Sequence, residues 1–246
     1  MAIIASYNIK GGVGKTAAAV NLAYLAAAEG ASTLIWDLDP QGAASYYFRV
    51  KPKVKGGGRK VLQGAVGDRI KGTDFPDLDL LPADFSYRNM DLLLDSGKKP
   101  ERGLKRLLKP LGKEYDYIFL DCPPSISLLS ENVFQTADAL LVPLIPTTLS
   151  LRTLEQLNKF LAQQDINALQ LLPFLSMIDR RKKLHKELEQ TLPLQFPQLL
   201  PVAIPYASEI ERMGVERAPL PAYAPNSGST AAFRRLWQVL QQNLAH

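Results

Sequence analysis

The chain alternates short apolar runs with longer stretches in which apolar residues recur every three or four positions. The short runs predict buried strands, and the longer period predicts helices with one apolar face. Strands are expected at residues 2–7, 32–37, 78–83, 117–121, 139–143, 169–177 and 200–205, and helices at 17–26, 101–112, 149–163, 182–192 and 229–244. This alternation is typical of a doubly wound α/β fold, a mostly parallel sheet with helices on both faces.

Two stretches interrupt the alternation. Residues 49–60 are basic and glycine-rich with no apolar period, which predicts a mobile loop. Residues 219–225 carry three prolines and are interpreted as a loop before a docking helix, because little more than one helix follows them. We therefore expect residues 1–246 to form a single domain. A chain of 246 residues is long enough to bury a substantial core.

Composition narrows the class of protein. Hydrophobic residues make up 46% of the chain, which excludes general disorder. The sequence lacks a run of about 18 apolar residues and enters its first strand without a charged leader, so neither a membrane span nor a signal peptide is expected. The single cysteine, Cys122, cannot form an intrachain disulfide, which fits a reducing cytoplasm.

The strongest signal for chemistry is a glycine-rich segment between the first strand and the first helix. It reads Asn8-Ile9-Lys10-Gly11-Gly12-Val13-Gly14-Lys15-Thr16. Glycines at such a junction let successive backbone N–H groups point inward at a helix N-terminus, where they bind phosphate. Lys15 can then reach the β- and γ-phosphates of a nucleotide, and the Thr16 hydroxyl can ligate Mg²⁺.

The segment departs from the common phosphate-loop pattern, because Ile9 stands where a glycine is usual and a second lysine, Lys10, opens the loop. Lys-Gly-Gly-x-Gly-Lys-Thr resembles the deviant Walker A motif of the ParA/MinD class, and nearly the whole chain is similar to a ParA-type partition ATPase. The resemblance implies a deviant P-loop NTPase fold, ATP as substrate with Mg²⁺, and a homodimer formed with ATP in which Lys10 touches the partner's nucleotide. It also implies that the following residues contact ATP: Lys10, Gly11, Gly12, Val13, Gly14, Lys15, Thr16 and Ala17. Of these, Lys10 and Lys15 are expected to take part in catalysis as well.

A second motif, Asp37-Leu38-Asp39-Pro40-Gln41-Gly42, follows the second strand. Ligands of doubly wound sheets bind at the carboxyl ends of the strands, and an extended chain points Asp37 and Asp39 the same way. The motif is similar to the family's second ATPase motif, which implies that Asp39 positions the attacking water. Asp37 is expected to support the Mg²⁺ shell or the loop. The other interpretation is a strand end with a turn, since Asp, Pro and Gly favour turns.

A third motif, Asp121-Cys122-Pro123-Pro124-Ser125, ends an apolar strand. P-loop ATPases place an acid there beside the metal, and Asp121 is expected to act through water because Mg²⁺ gives up its hydration reluctantly. By resemblance, Pro123, Pro124 and Ser125 form a switch segment that responds to the γ-phosphate, and the loop starting at Pro205 packs against adenine. A simple turn is the alternative interpretation of the acid.

Positive charge is concentrated in three segments, 49–60, 98–113 and 180–186. The formal charge of +5 and the pI of about 9.2 support nucleic-acid contact only weakly. ParA-type ATPases bind DNA nonspecifically through basic residues of the C-terminal half, and by resemblance one such position is Arg181, while a second carries the uncharged Tyr206. The predicted DNA-binding residues are Arg181, Lys182, Lys183, Lys186, Arg234 and Arg235, and solvated helix faces are the alternative.

Together these features predict a cytoplasmic, nucleoid-associated ATPase that dimerises around ATP, binds nonspecific DNA as the dimer and positions or segregates a cargo. The cargo is a plasmid, a chromosome or a protein compartment, and a centromere-binding or adaptor protein is expected to stimulate hydrolysis. One alternative is a MinD-like membrane ATPase, but no cation follows Arg235 to form a basic amphipathic tail. Another is a metabolic ATP-dependent ligase of the same superfamily, which needs a substrate pocket beside the γ-phosphate.

Overall fold

A computed structural model describes residues 1–64, 66–96, 100–164, 166 and 168–245, so that Lys98 and Lys99 of the second basic segment lie outside the described residues. Its strands are β1 (Ala2–Ser6), β2 (Thr33–Asp37), β3 (Lys71–Gly72), β4 (Leu78–Leu81), β5 (Tyr117–Asp121), β6 (Ala139–Leu144), β7 (Gln170–Ile178) and β8 (Ala203–Pro205). They form one eight-stranded sheet in the order β3-β4-β2-β5-β1-β6-β7-β8.

The register of the sheet determines where polar side chains meet. Neighbouring strands run parallel except β3, which pairs antiparallel with β4 at one edge. β1 lies between β5 and β6, and Ser6 is opposite Asp121, which is in turn opposite Asp37. Because parallel strands bring their carboxyl ends to one edge, the polar residues that end β1, β2 and β5 are neighbours there.

Helices pack on both faces of this sheet. The longer ones are α1 (Lys15–Ala28), α6 (Leu128–Thr136), α7 (Thr148–Gln163), α8 (Lys183–Gln195) and α12 (Gly228–Leu244). The shorter ones are α2 (Ala43–Tyr47), α3 (Gly57–Leu62), α4 (Met90–Asp95), α5 (Gly103–Leu108), α9 (Ser208–Glu211), α10 (Met213–Glu216) and α11 (Leu220–Tyr223). Single 3-10 turns occupy Gly67–Arg69, Phe85–Asn89, Pro100–Arg102 and Lys109–Lys113.

Alternation along the strands divides the core into two apolar layers. Ile3 and Ala5 of β1 belong to the layer that includes buried side chains of α5, α6 and α7, whereas Ile4 belongs to the layer of α1 and α12. In the second layer the rings of Phe119 and Trp237 pack with centroids 6.1 Å apart. Covering both faces explains why the strands are apolar throughout. Across the part of the chain that is described, no helix is long and apolar enough to cross a bilayer.

The predicted strands and long helices are confirmed, with ends displaced by a few residues. The helix expected at 101–112 is divided, and α5 stops at Leu108 before a 3-10 turn that contains Pro110. Proline removes a backbone donor and clashes with the preceding turn, which ends the α-helix. The pattern did not predict α2, α4 or β3, which are too short for a clear periodicity, and it also missed the longer helix α6.

The expectation of a loop at residues 49–60 is wrong in its second half, where α3 begins. Gly58 is buried against the Tyr87 ring, and its N–H donates to Ser86 Oγ at 2.8 Å. Upstream, Val54 is also buried, and its N–H donates to Asp84 Oδ2 at 2.8 Å. Residues 49–60 show no apolar period because single buried residues, Val54 and Gly58, hold them to the segment at 84–87. The proline-rich stretch at 219–225 contains the short helix α11 and precedes α12, which packs on the sheet.

Candidate functional site

The segment between β1 and α1 wraps around the N-terminus of α1. Gly14 immediately precedes the helix with a φ of 98°, a left-handed conformation that favours glycine. A Cβ at Gly14 would lie 2.7 Å from Ser176 Oγ at the end of β7. Both the backbone conformation and the close approach of β7 therefore require glycine at this position.

Side-chain hydrogen bonds fix this loop to the sheet. Asn8 is buried, and its amide donates to the Pro143 carbonyl of β6 at 2.9 Å and accepts from the Lys10 N–H at 2.9 Å. Ser6 Oγ donates to the Lys15 carbonyl at 2.8 Å. The loop is thus held at the N-terminus of α1, where backbone N–H groups and the helix dipole favour an anion.

Lys15 is almost fully buried at the start of α1. Its Nζ donates to the Lys10 carbonyl at 2.9 Å. Burial lowers the pKa of the Lys15 ammonium, and the carboxylate of Asp121 opposes that effect. Since an ammonium has three donors, Lys15 retains donors for an anionic ligand.

Asp37 ends β2 and is fully buried. Its Oδ2 accepts from the N–H and the hydroxyl of Ser45 in α2, both at 2.7 Å. Ser45 Oγ also accepts from the Ala83 N–H at 2.9 Å, which links Asp37 to the segment after β4. Within the described residues, Asp37 Oδ1 has no partner at full hydrogen-bonding geometry.

Asp121 is the buried neighbour of Asp37 at the end of β5. Neither of its carboxylate oxygens has a partner at full hydrogen-bonding geometry in the described part of the chain. Burial raises the pKa of Asp121 well above its usual range and Asp37 raises it further, whereas the Thr16 hydroxyl and Lys15 lower it. Unsatisfied carboxylate oxygens beside a hydroxyl match the donor preference of a hydrated divalent cation.

Asp39 has a different environment from Asp37. It is half-buried beyond the end of β2, where its Oδ1 accepts from the Gln41 N–H at 2.9 Å. Its carbonyl accepts from the Gly42 N–H at 2.9 Å, which closes the turn into α2. Asp37 is therefore bound to α2, whereas Asp39 lines a cavity.

That cavity has a volume of about 300 Å³. Its polar end is formed by the glycine loop, Lys15, Thr16 and Asp39. Ser176 lines it beside Gly14, and the rest of its wall is formed by residues of β7, β8 and the segment after β8, together with side chains of α2 and α12: Tyr47, Phe174, Met177, Ile204, Pro205, Tyr206, Ala207, Ile210, Glu211 and Phe233. The cavity therefore suits a ligand with an anionic end and a flat, less polar end.

Two arginines join walls of this cavity that are distant in sequence. Arg49, which follows α2, donates from Nε to the Arg217 carbonyl and from Nη2 to the Glu216 carbonyl, each at 3.1 Å. Arg217, which follows α10, donates from Nε to the Tyr46 carbonyl at 3.2 Å, and its guanidinium lies 4.6 Å from the Tyr46 ring centroid. We call this reciprocal contact the arginine clasp. It connects the segment after the second motif to the segment after β8.

Most of the predicted nucleotide-site residues converge on the cavity. Those that line it are Gly11, Gly12, Gly14, Lys15, Thr16, Ala17, Asp39, Pro124 and Pro205. Asp37 and Asp121 are fully buried next to it, and Val13 is buried in the protein interior. Lys10 contributes its carbonyl to Lys15. Pro123 and Ser125 flank Pro124 without lining the cavity, and the Ser125 carbonyl accepts from the Tyr7 hydroxyl at 2.9 Å.

Sequence reasoning missed residues that complete the site from outside the motifs. Tyr47, Ser176 and Glu211 line the cavity, and Ser45 holds Asp37. Ser176 lies near the carboxyl end of a predicted strand. Because ligands of such sheets bind at the carboxyl ends of the strands, this position could have placed Ser176 at the site. The others lie on short helices that no periodicity revealed.

The predicted DNA-binding residues are exposed, but two of them are paired with acids. Arg181 binds Asp179 through two bonds, Nε to Oδ1 at 2.9 Å and Nη2 to Oδ2 at 3.0 Å, which lower the pKa of Asp179 to about 2. Lys183 Nζ lies 3.6 Å from Glu187 Oε1. Among the residues described, the remaining predicted DNA-binding side chains have no acidic partner: Lys182, Lys186, Arg234 and Arg235.

The chain is similar in sequence to known proteins along most of its length. The model of the AAA domain family AAA_31 matches residues 1–171. The chain is 37% identical over 161 residues to the chromosome partitioning protein ParA of Myxococcus xanthus, covering 63% of this chain and 56% of that protein. It is 30% identical to the sporulation initiation inhibitor protein Soj of Bacillus subtilis, covering 98% of each.

A solved structure shares the fold along the whole chain. Cobyrinic acid a,c-diamide synthase from Mycobacterium smegmatis, solved with bound ADP and magnesium, superposes with a TM-score of 0.80 at 26% sequence identity. The superposition covers 100% of this chain and 96% of that protein.

The paired acids predict how the ligand-free protein responds to pH. Burial raises the pKa of Asp37 to about 6 and raises that of Asp121, so the folded chain holds protons that the unfolded chain releases near pH 4. The unfolding free energy should therefore fall as the pH rises from 4 through 6. We expect Asp121→Asn to flatten this fall and to raise the unfolding free energy at pH 8, because the amide brings no charge into the buried site.

Urea unfolding without nucleotide or metal, at several pH values, measures this effect. Asp68→Asn is the matched control, because the Asp68 side chain is 87% exposed. The control should reproduce the wild-type pH profile. An Asp121→Asn protein that is less stable than wild type at pH 8, with an unchanged pH slope, would contradict the assignment.

Proposed function

The chain belongs to the AAA_31 family of AAA domains, with ParA-type partition proteins among its relatives, and on this basis we propose that it is an ATPase that dimerises with ATP, binds nonspecific DNA and positions a cargo. The cargo is a plasmid, a chromosome or a protein compartment. An adaptor or centromere-binding protein stimulates hydrolysis and releases the dimer from the nucleoid.

The observation that carries the ATPase proposal is the composition of the cavity. A glycine loop at a helix N-terminus, a nearly buried lysine and Asp39 line its polar end. The loop N–H groups and Lys15 would bind the phosphates of ATP. Adenine would lie at the opposite end against Pro205, Tyr206 and Ile210, which are of suitable shape and polarity.

Three side chains would hold magnesium, one directly and two around its shell. Thr16 would bind the ion through its hydroxyl, and Asp121 would hold it through water, as its unsatisfied buried oxygens favour. Asp37 would support the same shell with Oδ1, because Ser45 occupies Oδ2. When bound, Mg²⁺ neutralises charge on the phosphate oxygens.

Asp39 is the group proposed to position the attacking water. It lines the cavity next to the glycine loop, and the Gln41 N–H holds one of its carboxylate oxygens. The other oxygen is then available to accept from water. Proper orientation of the nucleophile is the main protein contribution to phosphoryl transfer.

Dimerisation is proposed to bring Lys10 to the nucleotide of a second copy. The Lys10 side chain is half-buried and forms no hydrogen bond or ion pair in the described part of the chain. Exposed Ile126 follows the switch segment, and exposed Leu149 begins α7. The exposed side chain of Ile126, directly after the switch segment, supports a protein contact that depends on the γ-phosphate.

The DNA contact is proposed for the basic residues around α8 and on α12. Lys182 and Lys186 are exposed and unpaired in the described chain, and Arg181 is exposed in spite of its contact with Asp179. Because the Arg181 side chain is 85% exposed, a DNA phosphate could approach its guanidinium and would compete with the Asp179 carboxylate for it.

A ligase is the second candidate function, because the similarity to cobyrinic acid a,c-diamide synthase exceeds 25% identity over the whole chain. A ligase would couple ATP cleavage to formation of an amide bond from a carboxylic acid. Product analysis with added carboxylic acids and an amide donor separates this candidate from an ATPase that transfers phosphate to water.

Asp39→Ala tests the proposed hydrolysis. We expect the rate of ATP hydrolysis to fall by about 100-fold or more, because positioned acid–base groups contribute on that scale, whereas ATP affinity should stay within about twofold. The rate is measured by phosphate release and the affinity by fluorescence titration. Asp68→Ala is a control at an exposed acid away from the cavity, and wild-type turnover in Asp39→Ala would reject the role of Asp39.

Lys15→Ala and Lys10→Ala should have different effects. Lys15→Ala should weaken ATP binding by about tenfold or more, because it removes a charge from the phosphates. Lys10→Ala keeps the backbone carbonyl that binds Lys15, so the monomer should still bind ATP but should fail to dimerise. Size-exclusion chromatography with a slowly hydrolysed ATP analogue measures this difference, and a stable dimer of Lys10→Ala would exclude the proposed contact with the partner's nucleotide.

The DNA proposal predicts a salt-dependent affinity that requires ATP. Replacing Arg181, Lys182 and Lys183 with Ala should weaken binding to unrelated duplexes equally and reduce the log–log salt slope, at roughly 0.9 per lost phosphate contact. Gel-shift titrations at several salt concentrations, with ADP for comparison, measure both effects. The matched control replaces exposed Lys105, Lys109 and Lys113 with Ala, and equal weakening by both triple variants would show that the contact is not at α8.

A further inference from the structure

The first of the three basic segments lies directly after α2. Residues 49–67 contain six cationic residues, Arg49, Lys51, Lys53, Lys55, Arg59 and Lys60, and no acidic residue, whereas the whole chain has a formal charge of +5. A positive field that comes from so few residues attracts a polyanion to one place on the surface.

This stretch has a defined backbone that presents its lysines on the surface. Between Lys51 and Lys55, Val54 is buried and its N–H is bound by Asp84. The Val50 N–H donates to the Ser45 carbonyl at 3.0 Å, and the Lys53 N–H donates to the Lys51 carbonyl at 2.8 Å. The ammonium groups thus extend from a segment that is anchored before and between them.

A second segment completes a concave site. Residues 68–71 face the lysines across a cavity of about 490 Å³, and Arg69 Nε donates to the Lys55 carbonyl at 3.3 Å. The cavity is lined by Val50, Lys51, Lys53, Val54, Lys55, Asp68, Arg69 and Lys71. Asp68 is the one acid in this set, and its carboxylate lies 3.6 Å from Arg69 Nη1. We call this cavity the lysine cavity.

Four of the eight residues that line this cavity are lysines. Lys51, Lys53, Lys55 and Lys71 are exposed, and in the described residues none of their ammonium groups forms an ion pair or hydrogen bond. An anion with several charges could therefore contact several of these ammonium groups at once.

We propose that the lysine cavity binds a chain of phosphate groups, separately from the nucleotide. Its walls combine ammonium donors with two valines and hold no aromatic side chain on which a base could stack. This chemistry favours phosphate over base recognition. The same chemistry fits two sources, the backbone of a nucleic acid and a free polyphosphate. The lysine cavity shares no lining residue with the nucleotide cavity, and none of the DNA-binding residues assigned above lines it.

The test uses the full chain with its nucleotide cavity saturated by a slowly hydrolysed ATP analogue and magnesium. Fluorescently labelled duplex DNA of random sequence reports the nucleic-acid source, and competition by tripolyphosphate reports the free source. Fluorescence anisotropy is recorded for wild type and for a variant with Lys51, Lys53, Lys55 and Lys71 changed to Gln. The control variant changes exposed Lys105, Lys109, Lys113 and Lys159 to Gln, which removes the same charge elsewhere.

We expect the lysine-cavity variant to weaken binding of at least one phosphate probe by about tenfold or more and to reduce its salt dependence, whereas the control stays within about threefold of wild type. Displacement of DNA by tripolyphosphate at comparable phosphate concentration identifies the free source, and DNA binding without such competition identifies nucleic acid. The proposal is overturned if neither probe binds, if both variants weaken binding equally, or if poly-L-glutamate competes as well as the phosphate probes.

These outcomes are distinguishable from failure of the proposed function. The Arg181, Lys182 and Lys183 variant tests a different surface, and the Asp39→Ala protein tests hydrolysis. A chain that hydrolyses ATP normally but binds phosphate equally well without its four cavity lysines would lose the present inference alone.

Discussion

Two carboxylates buried side by side impose the constraint on which the nucleotide cavity depends. Asp37 and Asp121 are neighbours across β2 and β5, where each ionised group would repel the other and lack the stabilisation of water. Ser45 satisfies one oxygen of Asp37, and Lys15 provides an opposite charge near Asp121. The other oxygens lack partners in the described structure. Burying two carboxylates with unpaired oxygens costs free energy. A bound cation and phosphate would together supply the missing partners and so account for this cost.

The glycine loop depends on strands from the other half of the sheet as much as on its own neighbours. The Pro143 carbonyl in β6 accepts from Asn8, and Ser176 in β7 comes so close to Gly14 that a Cβ would collide with it. The family model ends at residue 171, although residues beyond that point complete the walls around the loop. The phosphate-binding geometry is therefore a property of the assembled sheet and not of the motif alone.

The fold and the polar end of the cavity could be predicted because both follow from local pattern. Buried parallel strands are continuous apolar runs, and the acids at the ends of β2 and β5 mark the edge where ligands bind. The less polar end was largely beyond prediction, since Tyr47, Glu211 and Phe233 reach it through tertiary packing. The basic stretch after α2 was misread for a related reason, because buried Val54 and Gly58 anchor it without any period.

The arginine clasp has a consequence for synthesis of the protein. Ribosomes deliver the chain from its N-terminus, so the glycine loop and both acidic motifs emerge before β8 and the carbonyls that bind Arg49. Until residues 205–217 are released, the nascent chain has a phosphate-binding loop but neither the clasp nor a complete wall for a base. A nucleotide cavity with both of its walls can thus form only after residues 205–217 have left the ribosome.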